Sequence, residues 1–206
     1  MENVETVLGA ARAIPIVSFD DAATAVPTVR ALLDGGLNVI ELVLRTQAAL
    51  AAMRAIHDEF GNAVTIAAGT VLNVNDMNAS VAAGATVVIS PGLTPTLLAA
   101  ARSYGIPYLP AVASASEIMT GIEHGYRYFK FFPAANLGVG TLKALAGPFA
   151  EIRFCANGGI TRENAAEFLA QSNVRAVGVS WVAPPALVAQ QDWPAIRDNA
   201  AWAARL

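Results

Sequence analysis

Short runs of apolar residues alternate with longer amphipathic stretches along the whole chain. Each apolar run has the length and the β-branched or aromatic content of a buried strand, whereas the stretches between them repeat their apolar residues at helical spacing. The pattern predicts eight strands, at Ala13–Val17, Asn38–Leu44, Val64–Ala68, Thr86–Ser90, Pro107–Val112, Tyr126–Phe132, Glu151–Ala156 and Val174–Val179.

Glycines close the helix-like stretches at a nearly regular interval, as expected for residues that end helices: Gly35, Gly36, Gly61, Gly84, Gly105, Gly125 and Gly147. Strict alternation of strand and helix predicts a parallel sheet, and eight repeats predict that this sheet closes. We therefore expect an α/β protein with one domain over residues 1–206, a compact (β/α)8 TIM barrel. Residues 1–12 are expected to form a short extra helix at the lower mouth, and Pro27 is expected to kink the first barrel helix.

Composition narrows the classes of partner. Of the 206 residues, 55% are hydrophobic and only 14% are charged, so the chain buries much of itself or hides surface in an oligomer. The net charge is −3 and the basic residues are scattered, which argues against nucleic acid as a partner. The longest apolar runs are too short to cross a membrane, and the N-terminus is acidic where a signal peptide is basic. We expect a cytoplasmic protein without a membrane partner.

The sequence offers little with which to hold a metal ion. Cys155 is the only cysteine and lies in an apolar strand, which favours a buried, unreactive thiol. The two histidines, His57 and His124, fall near predicted helix ends, where a favourable charge explains them more simply than ligation. We predict no metal site.

Lys130 is the one charged residue near the centre of an aromatic strand. An amine in apolar surroundings is less stable in its charged form, and a neutral amine can attack a carbonyl carbon. Strand alternation places Lys130 and Phe132 on one face and, in the second strand, Glu41 and Arg45 on the inward face. Bland alternatives are a lysine that reaches water along the strand and a buried ion pair with only a structural role.

Polar residues at other strand ends suggest a binding site for an anionic substrate. Gly158 and Gly159 follow the seventh strand and Ser180 follows the eighth, where barrels of this kind bind phosphate. Arg45 and Thr70 end the second and third strands and are suited to a carboxylate. A tight turn at the glycines and a surface ion pair for Arg45 are the simpler explanations.

Several motifs in sequence order resemble those of bacterial 2-dehydro-3-deoxy-phosphogluconate (KDPG) and 4-hydroxy-2-oxoglutarate (KHG) aldolases. They cover nearly the whole chain, at Glu41–Thr46, Ala68–Asn73, Ser90–Thr94, Phe129–Ala134, Ala146–Phe149 and Gly158–Ile160. The resemblance implies a metal-independent class I aldolase without a cofactor, usually a homotrimer. It implies that Lys130 is the Schiff-base lysine and Glu41 the general acid and base. The positions implied to bind substrate are Arg45, Thr70, Pro91, Phe132, Asn157, Gly158, Gly159 and Ser180.

The chain departs from the family pattern at two places. Ala156-Asn157 stands where the family commonly has Pro-Thr, and Pro110-Ala111 stands where it commonly has Pro-Gly. Asn157 is expected near the distal end of the substrate, and Ala111 near the mouth of the barrel. Both changes bear on which sugar acid is accepted, and neither touches the lysine or the glutamate.

The resemblance predicts reversible cleavage of 2-keto-3-deoxy-6-phosphogluconate, a 2-keto acid sugar phosphate, to pyruvate and glyceraldehyde 3-phosphate. Alternatives within the class are 4-hydroxy-2-oxoglutarate and 2-keto-3-deoxy-6-phosphogalactonate as substrates. From other classes, a barrel that binds sugar phosphates without catalysis, or an isomerase or epimerase, remains open. The non-catalytic barrel predicts phosphate binding without a covalent adduct of pyruvate.

Overall fold

The computed structural model describes residues 4–206 and contains a parallel β-barrel surrounded by helices. The strands are β1 Ala13–Val17, β2 Val39–Val43, β3 Thr65–Gly69, β4 Val87–Ile89, β5 Tyr108–Leu109, β6 Ala111–Val112, β7 Tyr128–Phe131, β8 Arg153–Ala156 and β9 Val174–Val179. They form one sheet in the order β5-β4-β3-β2-β1-β9-β8-β7-β6, and all pairs are parallel. The predicted barrel is confirmed.

The helices alternate with the strands as the sequence predicts. They are α1 Val4–Ala10, α2 Ala25–Asp34, α3 Ala49–Phe60, α4 Val74–Ala82, α5 Pro95–Tyr104, α6 Ala115–Glu123, α7 Ala134–Ala146, α8 Ala165–Leu169, α9 Pro185–Ala189 and α10 Trp193–Ala203. Two 3₁₀ turns, Ala22–Thr24 and Gly61–Ala63, precede α2 and β3. None of the helices within residues 4–206 is long and apolar enough to cross a membrane.

The fifth predicted strand is divided in two, which is why nine segments replace the expected eight. Pro110 separates β5 from β6 and has no N–H with which to continue a ladder. On one side, Ser90 N donates to Leu109 O at 3.4 Å, and on the other Lys130 N donates to the Pro110 carbonyl at 2.9 Å. The two halves therefore pair with β4 and β7 respectively, and the barrel closes through them.

Two apolar layers lie on the two sides of the strands, one between the strands and the helices and one inside the barrel. Outward side chains such as Ile40, Leu42 and Phe129 pack beneath the helices, while inward side chains form a smaller inner cluster. Val7 and Leu8 of α1 are buried in this inner cluster beside Val39, which lies at the start of β2. Helix α1 thus fills the lower mouth, as predicted for the described part of residues 1–12, and residues 1–3 lie outside the described residues.

The expected kink at Pro27 is wrong. Helix α2 begins at Ala25, after the 3₁₀ turn, so Pro27 lies in the first turn of the helix. The N–H groups of a first turn have no acceptor within their helix, and a proline is tolerated there. Asp21 caps the 3₁₀ turn by accepting a hydrogen bond of 2.9 Å from Ala23 N.

Side-chain caps start several helices directly after the strands that precede them. Asn73 accepts from Asp76 N at 2.9 Å at the start of α4, and Thr94 accepts from Leu97 N at 3.2 Å at the start of α5. Ser114 and Glu117 form a reciprocal capping box at the start of α6. These caps keep the loops at the C-terminal ends of the strands short, and the upper mouth of the barrel is consequently well defined.

Candidate active site

Lys130 and Glu41 meet inside the upper half of the barrel. Lys130 lies on β7 and Glu41 on β2, and Nζ of the lysine donates to Oε1 of the glutamate at 2.7 Å. The residues are only 6% and 1% exposed, so the charges are paired out of water. Strand alternation predicts that both point inward, and the contact confirms that orientation. The bond also gives a direct path for a proton between the two groups.

Asn157 is the third member of this buried group. It follows β8, is 2% exposed, and donates from Nδ2 to Oε2 of Glu41 at 3.1 Å. Each oxygen of the Glu41 carboxylate therefore has its own partner. The side chain of Asn157 therefore lies beside the glutamate, and its expected place near the distal end of the substrate stays a prediction.

Two strand glycines provide the space in which these side chains lie. A Cβ atom at Gly69 on β3 would lie 2.5 Å from Oε1 of Glu41, and one at Gly178 on β9 would lie 2.1 Å from Nδ2 of Asn157. Both distances are far below van der Waals contact, so a larger residue would displace the glutamate or the asparagine. An isolated glycine within a strand pattern is a signal of such close approach, and it could have identified both positions from the sequence.

Cys155 on β8 lies beside the ion pair and is opposite Lys130 in strand register. The pKa of the Cys155 thiol is raised to about 12, chiefly by burial. The negative charge of Glu41 also raises this pKa, and the positive charge of Lys130 lowers it by less. The thiol stays neutral at ordinary pH. It fills the barrel interior as the buried, unreactive cysteine that the sequence predicts.

Phe132 forms one wall next to the lysine. Its ring centroid is 5.7 Å from Nζ of Lys130, within the range of a cation–π contact. The Phe132–Pro133 peptide bond is cis, and Pro133 precedes α7. A Cβ at Gly158 would approach the Phe132 ring to 2.9 Å, so the glycine loop after β8 packs closely on this wall.

Arg45 and Thr70 lie together on the rim above β2 and β3. Nε of Arg45 donates to Oγ1 of Thr70 at 3.3 Å, and the arginine is exposed. Thr70 has φ 61°, a left-handed conformation that costs energy for a β-branched residue. The threonine hydroxyl nevertheless meets the arginine, and the guanidinium has further N–H donors that can approach a carboxylate.

The loops after β8 and β9 are neighbours, because these two strands pair along the sheet. Gly158 and Gly159 have φ angles of 93° and 73°, and the loop is held by hydrogen bonds from Ala134 N to Asn157 O (2.7 Å) and from Ala135 N to Gly158 O (2.9 Å). Ser180 is exposed at the end of β9. The structure thus places Gly158, Gly159 and Ser180 on one part of the rim, where backbone N–H groups can approach an anion.

A cation–π cluster that the sequence reasoning missed joins the same two loops. The guanidinium of Arg162 lies 4.8 Å from the ring centroid of Trp181 and 5.2 Å from that of Trp202. Arg162 also donates to Asn199 on α10, and Nδ2 of Asn199 donates to Val182 O at 3.1 Å. The residues are far apart in sequence and carry no shared motif, so only the folded chain reveals the cluster.

Pro91 lies exposed on the rim after β4. The preceding Ser90 is buried and lies 2.5 Å from the hydroxyl of Tyr108, and it also donates to Gly92 O. Burial raises the pKa of Tyr108 to about 12, so its hydroxyl stays neutral and available for this contact. These bonds fix the turn that carries Pro91.

The remaining titratable side chains do not converge on a metal site. Within residues 4–206, no three histidine, cysteine, aspartate or glutamate side chains form a group that could hold a metal ion. His57 lies in the last turn of α3 and His124 at the C-terminal end of α6, as the helix-end interpretation predicts.

Comparison with known proteins gives consistent matches over most of the chain. The sequence model described as "KDPG and KHG aldolase" matches residues 4–199. A 2-dehydro-3-deoxy-phosphogluconate aldolase of Pseudoalteromonas atlantica is 46% identical over 91% of this chain and 87% of its own length. A KHG/KDPG aldolase of Escherichia coli K12 is 43% identical over 88% of this chain and 85% of its own.

The fold is also similar to that of solved structures. A KDPG aldolase from Legionella pneumophila superimposes with a TM-score of 0.94 at 39% identity, over 97% of each chain. That crystal structure holds pyruvate captured at low pH as a covalent carbinolamine intermediate.

Proposed function

Because this chain belongs to the family of KDPG and KHG aldolases, we propose that it cleaves 2-keto-3-deoxy-6-phosphogluconate reversibly to pyruvate and glyceraldehyde 3-phosphate. The chain is an aldolase and therefore a lyase. The observation that carries the proposal is the buried contact between Lys130 and Glu41 at 2.7 Å. A structural ion pair alone would not need to lie at the end of the barrel where enzymes of this architecture bind their substrates.

The first step is attack of the neutral amine of Lys130 on the C2 carbonyl. Glu41 accepts the proton that the ammonium group loses and returns a proton to the carbonyl oxygen, which gives a carbinolamine. Glu41 then carries one proton from the nitrogen to the hydroxyl group, which leaves as water and yields the iminium ion. A covalent adduct of this kind is what the relative from Legionella pneumophila holds.

Cleavage uses the iminium ion as an electron sink. Glu41 removes the proton of the C4 hydroxyl, the C3–C4 bond breaks, and its electron pair forms the enamine as the aldehyde leaves. Glu41 returns the proton that it took from the C4 hydroxyl to C3 of the enamine, and water hydrolyses the resulting imine to release pyruvate and regenerate Lys130. In the reverse direction, the same groups form the bond between pyruvate and the aldehyde.

Charges at the two ends of the rim orient the substrate. We assign the carboxylate to Arg45 and Thr70 and the phosphate to the backbone of Gly158 and Gly159 with Ser180. Phe132 and Pro91 line the space between the two ends. Fixing both charged ends holds the C3–C4 bond above Lys130 and Glu41, which lowers the entropic part of the barrier.

A second substrate is 4-hydroxy-2-oxoglutarate. The Escherichia coli K12 relative is named for both KHG and KDPG. Cleavage of either compound breaks a C3–C4 bond next to a 2-keto group, so Lys130 and Glu41 would act identically. The two differ at the distal end, where a carboxylate replaces the phosphate. Comparing kcat/KM for both compounds assigns the preference.

Reductive trapping tests the proposed chemistry directly. Incubation with pyruvate and borohydride should add one reduced pyruvyl group to the protein, and peptide mapping by mass spectrometry should place it on Lys130. Lys143, on α7, is the matched control because it carries the same amine away from β7. Turnover accompanied by an unmodified Lys130 would rule out the mechanism.

We further propose a homotrimer in the cytoplasm. The low charged fraction of 14% supports subunit contacts, because less of the surface is strongly hydrated. Sugar phosphates cross membranes poorly, which favours an enzyme that shares their compartment. Light scattering should give three times the monomer mass, and a monomer would contradict the trimer. Cell fractionation tests the location.

A further inference from the structure

We propose that Asn157 is a positioning residue for Glu41: its amide nitrogen fixes the carboxylate, and its unpaired carbonyl oxygen receives an O–H donor at the reacting centre. The inference rests on the proposed aldolase function and deepens it. It assigns a role to Asn157, the residue that directly follows β8.

The orientation of the Asn157 amide follows from its neighbour. An ionised carboxylate only accepts hydrogen bonds, so the atom 3.1 Å from Oε2 of Glu41 must be the donor Nδ2. Lys130 occupies Oε1 of the same carboxylate at 2.7 Å. With one donor on each oxygen, Glu41 cannot rotate without losing a charge-assisted bond.

The same orientation leaves the Asn157 oxygen without a donor. Oδ1 is buried and accepts no hydrogen bond from any residue within 4–206. A buried carbonyl without a partner costs free energy, so the site favours a ligand that brings an O–H group. The C4 hydroxyl of the substrate and a water molecule are the two sources of such an O–H group, and a water molecule can donate its second O–H to Glu41 at the same time.

The surroundings of Asn157 leave it little freedom. Gly178 faces it from β9, where a Cβ would lie 2.1 Å from Nδ2, and the backbone N–H of Asn157 donates to Phe131 O at 2.9 Å. The titratable groups around the carboxylate are Lys130 on β7 and Cys155 on β8. Because burial keeps the thiol neutral, Lys130 and Asn157 are the groups that set the orientation of Glu41.

Two substitutions of equal shape separate hydrogen bonding from packing. Threonine retains a hydroxyl that can donate to Glu41 and accept from an O–H group, whereas valine has the same outline and neither capacity. Asn157→Val should lower kcat for cleavage by about 10- to 100-fold. This loss is smaller than that expected from removing the acid or base itself, because Glu41 is still present. KM should change much less, and Asn157→Thr should recover most of the loss.

Asn157→Asp supplies a second readout, the pH profile. Two neighbouring carboxylates cannot both ionise without a large penalty, so they share one proton. The variant should be active at low pH and lose kcat as the pH rises and the shared proton leaves. The pH profile of the parent enzyme should lack this decline.

Comparing pyruvate trapping with cleavage identifies the O–H donor, because pyruvate has no C4 hydroxyl. If Asn157→Val slows trapping as much as cleavage, the donor is water. If it slows cleavage alone, the donor is the C4 hydroxyl of the substrate.

Asn173 provides the matched control. It is also buried, donates from Nδ2 to Leu142 O at 2.8 Å and has an unpaired Oδ1, but it precedes β9 at the opposite end of the barrel. Asn173→Val should lower the unfolding midpoint in urea with kcat and the pH profile unchanged.

Two results would overturn the inference on Asn157 and leave the proposed function standing. In one, Asn157→Val keeps the parental kcat; in the other, the threonine and valine variants lose kcat equally. An Asn157→Asp enzyme with the parental pH profile would overturn it as well. If the parent protein neither cleaves the sugar acid nor is trapped by pyruvate, the proposed function fails and the inference fails with it.

Discussion

At the scale of single residues, the chemistry depends on one lysine whose partner is one glutamate. Lys130 and Glu41 are separated by 89 positions in the sequence, yet their charged atoms lie 2.7 Å apart in the buried interior of the barrel. Removing one member of a buried pair leaves the other uncompensated. Neutral substitutions that keep the shape of the side chain therefore give the clearest test of each role.

Glu41→Gln keeps the size of the side chain and its contact with Lys130 but removes the proton acceptor. We expect kcat for cleavage to fall by about 10²- to 10⁴-fold, because proton transfer at C4 is lost. Some trapping by pyruvate and borohydride should persist, since Lys130 is unchanged. Glu151→Gln, at an exposed position, is the control and should leave kcat unchanged. Full turnover in the Glu41 variant would remove its assigned role.

At the scale of elements, each strand contributes space as well as side chains. The backbone of β3 approaches Glu41 so closely that only a glycine fits at position 69. The loops after β8 and β9 are joined to α10 by the stacked Arg162 and by Asn199. The site thus depends on how neighbouring elements pack, in addition to the residues that touch a substrate.

Gly69→Ala should displace the carboxylate of Glu41, because the new methyl group would lie 2.5 Å from Oε1. Small displacements of a catalytic group cost about 10²-fold in rate, so we expect a loss of kcat/KM of that order. Gly140→Ala is the matched control, since a Cβ there meets nothing within 4 Å in α7. Equal activity of the two variants would contradict the packing argument.

Arg162→Ala should loosen the two loops assigned to the phosphate. We expect KM for the phosphorylated substrate to rise by roughly 3- to 30-fold, the equivalent of one cation–π contact, with pyruvate trapping unchanged. Arg162→Lys should recover part of the effect. Arg54→Ala, exposed on α3, serves as the control. The idea fails if KM for phosphorylated and unphosphorylated substrates rises equally.

At the scale of the whole molecule, stability and catalysis use opposite ends of one barrel. The part of the inner cluster at the lower mouth is apolar and receives α1, whereas the upper half of the barrel holds the buried charges. This separation follows the general division of such barrels into a stabilising face and a catalytic face. Changes at the lower mouth should therefore affect unfolding before they affect turnover.

Leu8→Ala tests that division. Leu8 is 2% exposed in the inner cluster, so we expect its truncation to lower the free energy of unfolding by about 2–5 kcal/mol, measured in urea. Gly9→Ala on the same helix meets nothing within 4 Å and should stabilise by about 0.5–1 kcal/mol. The folded Leu8 variant should keep its kcat, and an early loss of kcat would contradict the separation.

The sequence by itself determined the barrel and the inward orientation of Lys130 and Glu41, because apolar periodicity and strand alternation are local properties of the chain. The tertiary structure alone decided which side chains meet. Asn157 reaches Glu41 across 116 positions, Gly69 and Gly178 make room for them, and Pro110 divides a strand between two neighbours. These features depend on distances between strands, which a local pattern does not contain.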